Sequence, residues 1–188
     1  MGRTLCSELA LKGMANELDA LLEVLQTLPA APSGTGRVEG LVLRPERGTR
    51  QEVQQIELTP EGGILGDRWG KRKHSTTHRQ VSAIRKDVLD MLSGDAWAAL
   101  SGDNLQVDLD LSEKALPVGC LLNIGTAVLR VSPEVYGPCQ LFSGRFGQNA
   151  HDATLDPTWL SARGRGVLLE VVQGGVIQIG DIIEVEPQ

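Results

Sequence analysis

The chain has 188 residues, of which 41% are hydrophobic, and a formal net charge of −6. That length supports one domain with a substantial core, and the hydrophobic fraction is too high for a disordered protein. Three cysteines, at positions 6, 120 and 139, are too few and too widely spaced for a disulfide framework or a CxxC zinc site. Charged residues interrupt every window long enough to form a signal sequence or cross a bilayer. We therefore expect a soluble, cytoplasmic protein without a membrane partner.

The first predicted element is an amphipathic helix. Leucine and methionine recur every three or four residues from Leu11 to Leu28, which places them on one helical face. Pro29 ends the pattern, and residues 29–36 are rich in proline, glycine and small side chains, as linkers are. We predict an N-terminal helix and linker at 1–36 and a separate domain at 37–188. The apolar face would pack on that domain or on the same helix of a second subunit, giving a homodimer.

From Arg37 onward, short β-branched runs alternate with glycine-containing turns, a pattern typical of strands. Short helices are predicted at Lys86–Leu92 and Pro157–Ala162. We therefore expect a mainly β fold with a barrel-like core, a few short helices and the N-terminal helical extension. The predicted strands are Val38–Leu43, Val53–Leu58, Arg79–Ile84, Leu105–Leu109, Leu121–Ile124, Ala127–Val131, Val167–Val172 and Ile182–Val185.

A basic segment runs from Arg68 to Arg79, with five basic residues and no acidic one. Positive charge concentrated inside an acidic protein favours a small anion, such as a phosphate-bearing cofactor. A long nucleic acid would meet repulsion from the rest of the chain, so we expect no nucleic-acid partner. The alternative is a solvated surface loop with incidental charge.

Cys139 lies in the sequence YGPCQ (residues 136–140), shortly after the predicted strand at 127–131. Pro138 has a fixed φ and restricts the residue before it, so the thiol follows a stiff corner at the end of a sheet. A reactive or metal-binding sulfur would have to lie in such a position. The alternative is a small buried hydrophobic residue, the commonest environment of a free cysteine.

Two further patterns concern the remaining thiol and the histidines. Cys120 precedes a predicted strand of leucine and isoleucine, so we predict a core position. His151 and Asp152 would supply the imidazole and carboxylate of a catalytic set with Cys139, but the spacing does not define their geometry.

Five turn motifs occur in order along the chain. Together they resemble the MOSC domain, the module named after the C-terminal part of molybdenum cofactor sulfurases and also found as small stand-alone bacterial proteins. The resemblance covers about residues 37–185. It implies a β-rich barrel with a cysteine that carries sulfur or ligates the molybdenum of a pterin cofactor, and Cys139 matches that cysteine. The motifs are GDRW (66–69), HRQV (78–81), GDNL (102–105), PC (138–139) and GGVIQIGD (174–181).

The resemblance also implies a set of site residues on the loops around Cys139. The motif 174–181 would be the turn into the last strand, with a structural role. Trp69 stands where many members have histidine, and Tyr136 where arginine is often found. Cationic and amide side chains are suited to the phosphate and the pterin of a molybdopterin. Asp103 would lie on the same loops, and Arg163 is the alternative to Arg165 as a cation for the phosphate. The candidate cofactor-binding residues are Asp67, Arg68, Lys71, Arg79, Gln80, Asn104 and Arg165.

Three functions are compatible with this resemblance. The first is a molybdenum cofactor-dependent oxidoreductase that reduces small N-hydroxylated substrates, with Cys139 as the metal ligand. The second is a sulfur carrier or transferase with a persulfide on Cys139, and the third is a non-catalytic cofactor-binding or delivery module. The chain has no flavin, iron–sulfur or Rossmann motif, so an oxidoreductase would need an electron-donor protein. A sulfur carrier would need a sulfur-donor protein as its partner. The cofactor that the resemblance implies is molybdopterin, and the alternative is a protein that carries no cofactor when purified.

Overall fold

The structure of the protein is a computed structural model that describes residues 17–71 and 76–187. The first part of the predicted N-terminal helix, with Cys6, lies outside the described residues, as do residues 72–75 of the basic segment. The described residues contain eleven strands. They are β1 (Thr35–Leu43), β2 (Gln51–Glu52), β3 (Gln55–Thr59), β4 (Gly63–Ile64), β5 (Val81–Arg85), β6 (Leu105–Asp108), β7 (Leu121–Ile124), β8 (Ala127–Val131), β9 (Val167–Gln173), β10 (Gly175–Gln178) and β11 (Ile182–Val185).

Seven of these strands close into a barrel in the order β11-β7-β8-β9-β5-β6-β1. β1 pairs with β11 at Thr35↔Glu184 and with β6 at Arg37↔Asp108, which completes the ring. The neighbours are antiparallel except β5 and β6, which run parallel. In strands such as β8, buried side chains alternate with more exposed ones, and the buried side chains of the closed sheet form the main core. The predicted mainly β, barrel-like fold is confirmed.

All eight predicted strands are present. Three have the predicted bounds, and the ends of the other five differ by three residues or fewer. β1 begins at Thr35, two residues before the predicted start of the domain, and the boundary itself stays a prediction.

The motif 174–181, predicted as a turn, contains a strand. Gly175–Gln178 forms β10, which pairs with β3 in a separate sheet of order β10-β3-β4. The glycines allow close backbone approach here: a Cβ on Gly175 would lie 2.5 Å from Thr126, and one on Gly174 would lie 2.6 Å from the Leu58 carbonyl oxygen. Glycine in this motif therefore indicates close packing of backbone segments as well as a turn.

Five α-helices lie outside the barrel in the described residues, and none of them is long and apolar enough to cross a membrane. Both predicted short helices are present, but α3 and α4 were not predicted. Gly144 and Gly147 interrupt the segment 140–153 and hide its pattern. The helices are α1 (residues 17–26), α2 (Lys86–Ser93), α3 (Gln140–Phe146), α4 (Gln148–Ala153) and α5 (Pro157–Ser161). Single 3₁₀ turns occur at Arg68–Lys71, Thr77–Arg79 and Ala98–Ser101.

The described part of the N-terminal helix packs on the domain. Leu25 is only 2% exposed and belongs to a second apolar cluster together with Phe142 and Trp159. Leu18, Leu21, Leu22 and Leu28 pack against the same cluster. Of the two alternatives for the apolar face, contact with the domain accounts for residues 18–28. A homodimer through this helix stays a prediction.

Candidate functional site

Cys139 lies at the surface, immediately before α3. Its side chain is exposed, and its carbonyl oxygen accepts a 2.7 Å hydrogen bond from the backbone N–H of Phe142 at the start of the helix. Cys120 is 2% exposed, and its pKa is raised by burial and by the neighbouring Glu186. The prediction that Cys120 is a core residue is confirmed. The alternative that Cys139 is a buried hydrophobic residue is wrong, because the residue is exposed.

Asp103 anchors the segment around Cys139. Its fully buried carboxylate accepts hydrogen bonds from the Tyr136 hydroxyl at 2.7 Å and from Arg165 Nη1 at 2.8 Å. Arg165 Nη2 donates to the same hydroxyl at 2.8 Å. The guanidinium carbon of Arg165 lies 4.3 Å from the centre of the Tyr136 ring and 4.6 Å from that of Phe142. Tyr136 and Phe142 lie on either side of Cys139 in the chain, so this cluster fixes the segment that carries the thiol.

The protonation states of this cluster are well defined. Burial, together with Asp103, raises the pKa of Tyr136 to about 12, so the hydroxyl stays protonated at neutral pH. Burial alone would lower the pKa of Arg165, but the charge of Asp103 and the hydrogen bond to it raise the pKa overall. Arg165 is therefore a permanent cation beside Cys139.

A second buried network is built on Asp67 and Asn104. Asp67 accepts hydrogen bonds from Arg44 Nε at 2.9 Å, from the backbone N–H of Trp69 at 2.8 Å and from Asn104 Nδ2 at 3.2 Å. Asn104 Nδ2 also donates to the Val42 carbonyl oxygen at 3.0 Å. Burial would raise the pKa of Asp67, but the bonds from Arg44 hold it below its usual range. The network therefore ties β1 to the turn that contains the GDRW motif.

Several predicted cofactor-binding side chains are thus buried and bonded within the protein. Gln80 is the fourth, after Asp67, Asn104 and Arg165: it donates to the Pro60 carbonyl oxygen at 2.6 Å and accepts from the backbone N–H of Val171 at 2.7 Å. These contacts hold loops and strands in position. Direct contact of the four side chains with a cofactor stays a prediction.

The other three candidates, the exposed Lys71 and Arg79 and the half-buried Arg68, lie in two places. Arg79 forms an ion pair with Glu134. Lys71 Nζ donates to the Pro45 carbonyl oxygen at 3.2 Å, and Lys71 and Arg68 line an open depression of about 600 Å³. Leu141, two residues after Cys139, lines the same depression. The structure therefore brings Arg68 and Lys71 to the Cys139 segment.

Three arginines that were not predicted converge beside this depression. Arg44 Nη1 donates to the Gly102 carbonyl oxygen at 3.1 Å, and Arg145 Nη1 donates to that of Leu100 at 2.8 Å. Arg50 packs on Gly102, where its Nε lies 2.7 Å from the position that a Cβ would take. We call Arg44, Arg50, Arg68 and Arg145 the arginine cluster.

The arginine cluster has a surplus of positive charge. Burial and the nearby Arg145, Arg68 and Arg44 lower the pKa of Arg50 to about 10, and Asp67 only partly opposes this. Arg50 Nε is also buried without a hydrogen-bond partner among the described residues. Cations grouped in this way, with the Arg50 Nε–H donor left without an acceptor among the described residues, are suited to binding an anion. Sequence reasoning missed the cluster because its outermost members, Arg44 and Arg145, are 101 residues apart in the chain.

His151 is held by its own helix. Its Nδ1 lies 2.8 Å from the Asp152 carboxylate, and within the described residues no hydrogen bond joins it to Cys139. The described ranges also contain no group of three or more His, Cys, Asp or Glu side chains that could hold a metal ion. A thiol–imidazole–carboxylate set is therefore not formed in this structure.

Comparisons with known proteins identify the family and the fold of the chain. A family model described as the MOSC domain matches residues 70–184. No curated protein matches the sequence. The crystal structure of YUAD from Bacillus subtilis has a TM-score of 0.59 at 21% identity, covering 85% of this chain and 100% of its own. The structure of YiiM from Escherichia coli has a TM-score of 0.56 at 19% identity, covering 81% of this chain and 70% of its own. The structure of YiiM from Geobacillus stearothermophilus has a TM-score of 0.53 at 16% identity, covering 81% of this chain and 75% of its own.

These structural similarities establish the fold, and the family model covers more than half of the chain. The chain therefore belongs to the MOSC domain family, whose domains are associated with the molybdenum cofactor.

Proposed function

We propose that this protein binds a molybdenum cofactor beside Cys139 and reduces small N-hydroxylated substrates with electrons from a separate donor protein. The observation that carries the proposal is the arginine cluster. Four guanidinium groups lie next to the segment of an exposed thiol, with Asp67 as their neighbouring carboxylate. A molybdopterin offers an anionic phosphate at one end and a metal that accepts a soft ligand at the other.

The donor set fits both ends of such a cofactor. Arg50 Nε, buried without a partner in the described part of the chain, and the cations Arg68 and Lys71 along the open depression would hold the phosphate. Cys139 would be the soft ligand, since its side chain is exposed. When bound, the cofactor would supply the two-electron redox chemistry.

The remaining residues would act by holding position and charge. Metal ligation and persulfide chemistry both use the thiolate form of cysteine, and Arg165 keeps a positive charge beside it. Asp103 and Tyr136 fix Arg165, so the charge does not depend on a mobile side chain. The Asp67–Asn104 network would hold the wall on which the arginine cluster rests.

A sulfur carrier is the second candidate, and the exposure of Cys139 favours it. An accessible thiol can receive sulfur directly from a donor protein, without a bound cofactor. The two functions predict different adducts on the same protein.

Metal analysis and intact-mass measurement of protein purified from a molybdenum-replete host test the proposal. We expect molybdenum and pterin in near-equal amounts in the wild type, loss of molybdenum in Cys139→Ser and a reduced cofactor content in Arg50→Ala. The matched control is Arg130→Ala, which removes an exposed arginine that pairs with Glu170 outside the cluster. The mass of one added sulfur atom on Cys139 without molybdenum would favour the sulfur carrier. Wild type without either adduct, after growth with molybdenum, would contradict both candidates.

A further inference from the structure

A second cavity lies against the three residues that precede Cys139. It has a volume of about 170 Å³, and Tyr136, Gly137 and Pro138 form one of its walls. α5 and the segment 163–168 form much of the rest. The depression beside the arginine cluster contacts Leu141, after the thiol. Along the chain, Cys139 therefore lies between a basic depression and this second cavity.

The rim of the cavity is apolar and exposed. Val118, Val135, Leu155 and Leu160 line it, and their exposed fractions are 52%, 87%, 44% and 52%. Grouped apolar side chains at the surface are a common mark of a binding site. A ligand that covered them would gain from the apolar area removed from water.

The charged side chains that line the cavity are already engaged within the protein. Glu134 pairs with Arg79, and Arg165 with Asp103. Arg163 Nη1 donates to the Leu116 carbonyl oxygen at 2.7 Å, and Arg163 Nη2 lies 3.9 Å from Glu113. An ionised ligand would lose its hydration here without gaining a free counter-charge, which favours an uncharged one.

Two buried donors of the lining residues have no hydrogen-bond partner among the described residues. They are Trp159 Nε1 and Arg165 Nε, in residues that are 7% and 6% exposed. A buried N–H without an acceptor costs free energy, and a ligand oxygen that accepts from it recovers this cost. The cavity therefore favours an apolar ligand that has an acceptor oxygen.

We propose that this cavity binds an uncharged, single-ring group with an attached acceptor oxygen. The cavity volume of about 170 Å³ agrees with a single ring, since an apolar cavity of roughly 150 Å³ holds one benzene molecule. We identify that group as the ring of the substrate, because the cavity shares its wall with the Cys139 segment. This identification rests on the proposed function. Binding of the group does not depend on molybdenum.

Binding of small probes to the metal-free Cys139→Ser protein tests the inference. Benzamide, benzoate and toluene have one ring each but differ in charge and in acceptor oxygen. The readout is the indole N–H resonance of Trp159, assigned by its absence in Trp159→Phe. We expect benzamide to shift it saturably with a dissociation constant in the roughly millimolar range typical of so small a ligand. Benzoate should cause no shift, and toluene should bind at least five-fold more weakly.

Variants at the rim locate the site. Val118→Phe and Leu160→Phe should each weaken benzamide binding at least five-fold by narrowing the cavity. Ile179→Phe, a change at an exposed position in the turn between β10 and β11, should leave it unchanged. In Trp159→Phe, followed through the ligand signals, benzamide should lose its advantage over toluene.

Three results would overturn the inference: no shift of Trp159 with benzamide at high millimolar concentration, equal binding of benzoate, or rim variants that bind as the wild type does. None of them bears on the molybdenum content of the native protein. If the probes bind as expected but the protein contains no molybdenum, the proposed function fails while the ligand site stands.

Discussion

Asp103 and Arg165 form an ion pair of 2.8 Å whose two side chains are 0% and 7% exposed. The pair joins the GDN motif at 102–104 to the loop before β9, and the Tyr136 hydroxyl bonds to both partners. A buried ion pair is tolerated when its remaining hydrogen bonds are satisfied, and it becomes costly when one partner is removed. The position of Cys139 between Tyr136 and Phe142 therefore depends on a pair formed elsewhere in the chain.

Replacing Asp103 by Asn should lower the free energy of unfolding by about 3 kcal/mol, because it leaves Arg165 buried without its counter-charge. Urea denaturation of the two proteins measures the difference. The double variant Asp103→Asn, Arg165→Met should recover part of the loss, since neither charge remains. Arg130→Ala, which breaks the more exposed pair with Glu170, should cost no more than about 1 kcal/mol. Equal effects of the two single changes would contradict the role of burial.

Tyr136 should make the protein less stable in strong base. Its pKa of about 12 in the folded protein lies above the value of about 10 for an exposed tyrosine, because burial disfavours the phenolate. The unfolded chain therefore loses this proton first, so the contribution of Tyr136 is complete below pH 10 and is lost as the pH rises toward 12. The loss amounts to about 2–3 kcal/mol.

Tyr136 is the only tyrosine of the chain, so the absorbance of tyrosinate reports its ionisation alone. We expect the pKa of Tyr136 to be about 12 in the folded protein. In the urea-unfolded protein it should be about 10, the value of a free tyrosine. Stability against pH in Tyr136→Phe is the control, and its decline above pH 10 should be smaller than that of the wild type. Identical titration of folded and unfolded protein would show that the hydroxyl is not buried.

Alkylation at neutral pH should modify Cys139 at least ten-fold faster than Cys120 in the folded protein. Cys139 is exposed, whereas Cys120 is buried and less accessible, and the raised pKa of Cys120 reduces its thiolate fraction further. Peptide mass spectrometry of a Cys6→Ser protein gives the two rates. In urea the rates should become similar. Slow, equal labelling of both thiols in the folded state would contradict the surface position of Cys139.

Leu25→Ala should lower the free energy of unfolding by about 2–4 kcal/mol, because it opens a cavity between α1 and the cluster around Trp159. Val24→Ala, at a 41% exposed neighbour on the same helix, is the matched control and should cost less than about 1 kcal/mol. Thermal or urea denaturation measures both. A similar small effect of the two changes would mean that the helix contributes little to the domain.

Local patterns predicted most of the secondary structure. Runs such as Leu121–Ile124 and Ala127–Val131 combine strand-forming side chains with bounding glycines, so their ends agree with the structure. The helices α3 and α4 were missed because their glycines obscure an apolar spacing that is visible in retrospect at Phe142, Phe146, Ala150 and Ala153. β10 was missed because two glycines that allow close packing look like a turn.

The sequence by itself determined the barrel class and the family, because periodicity and motif order are properties of neighbouring residues. It left Cys139 open between an exposed position after the proline corner and a buried one, and the structure decided for the exposed position. Only the tertiary structure decided which polar side chains anchor the site. Asp67, Gln80 and Asn104 are buried by strands distant in the chain, and Arg44, Arg50 and Arg145 meet at residues 100–102. Burial and charge at these positions depend on contacts across the barrel, and such contacts leave no local pattern in the sequence.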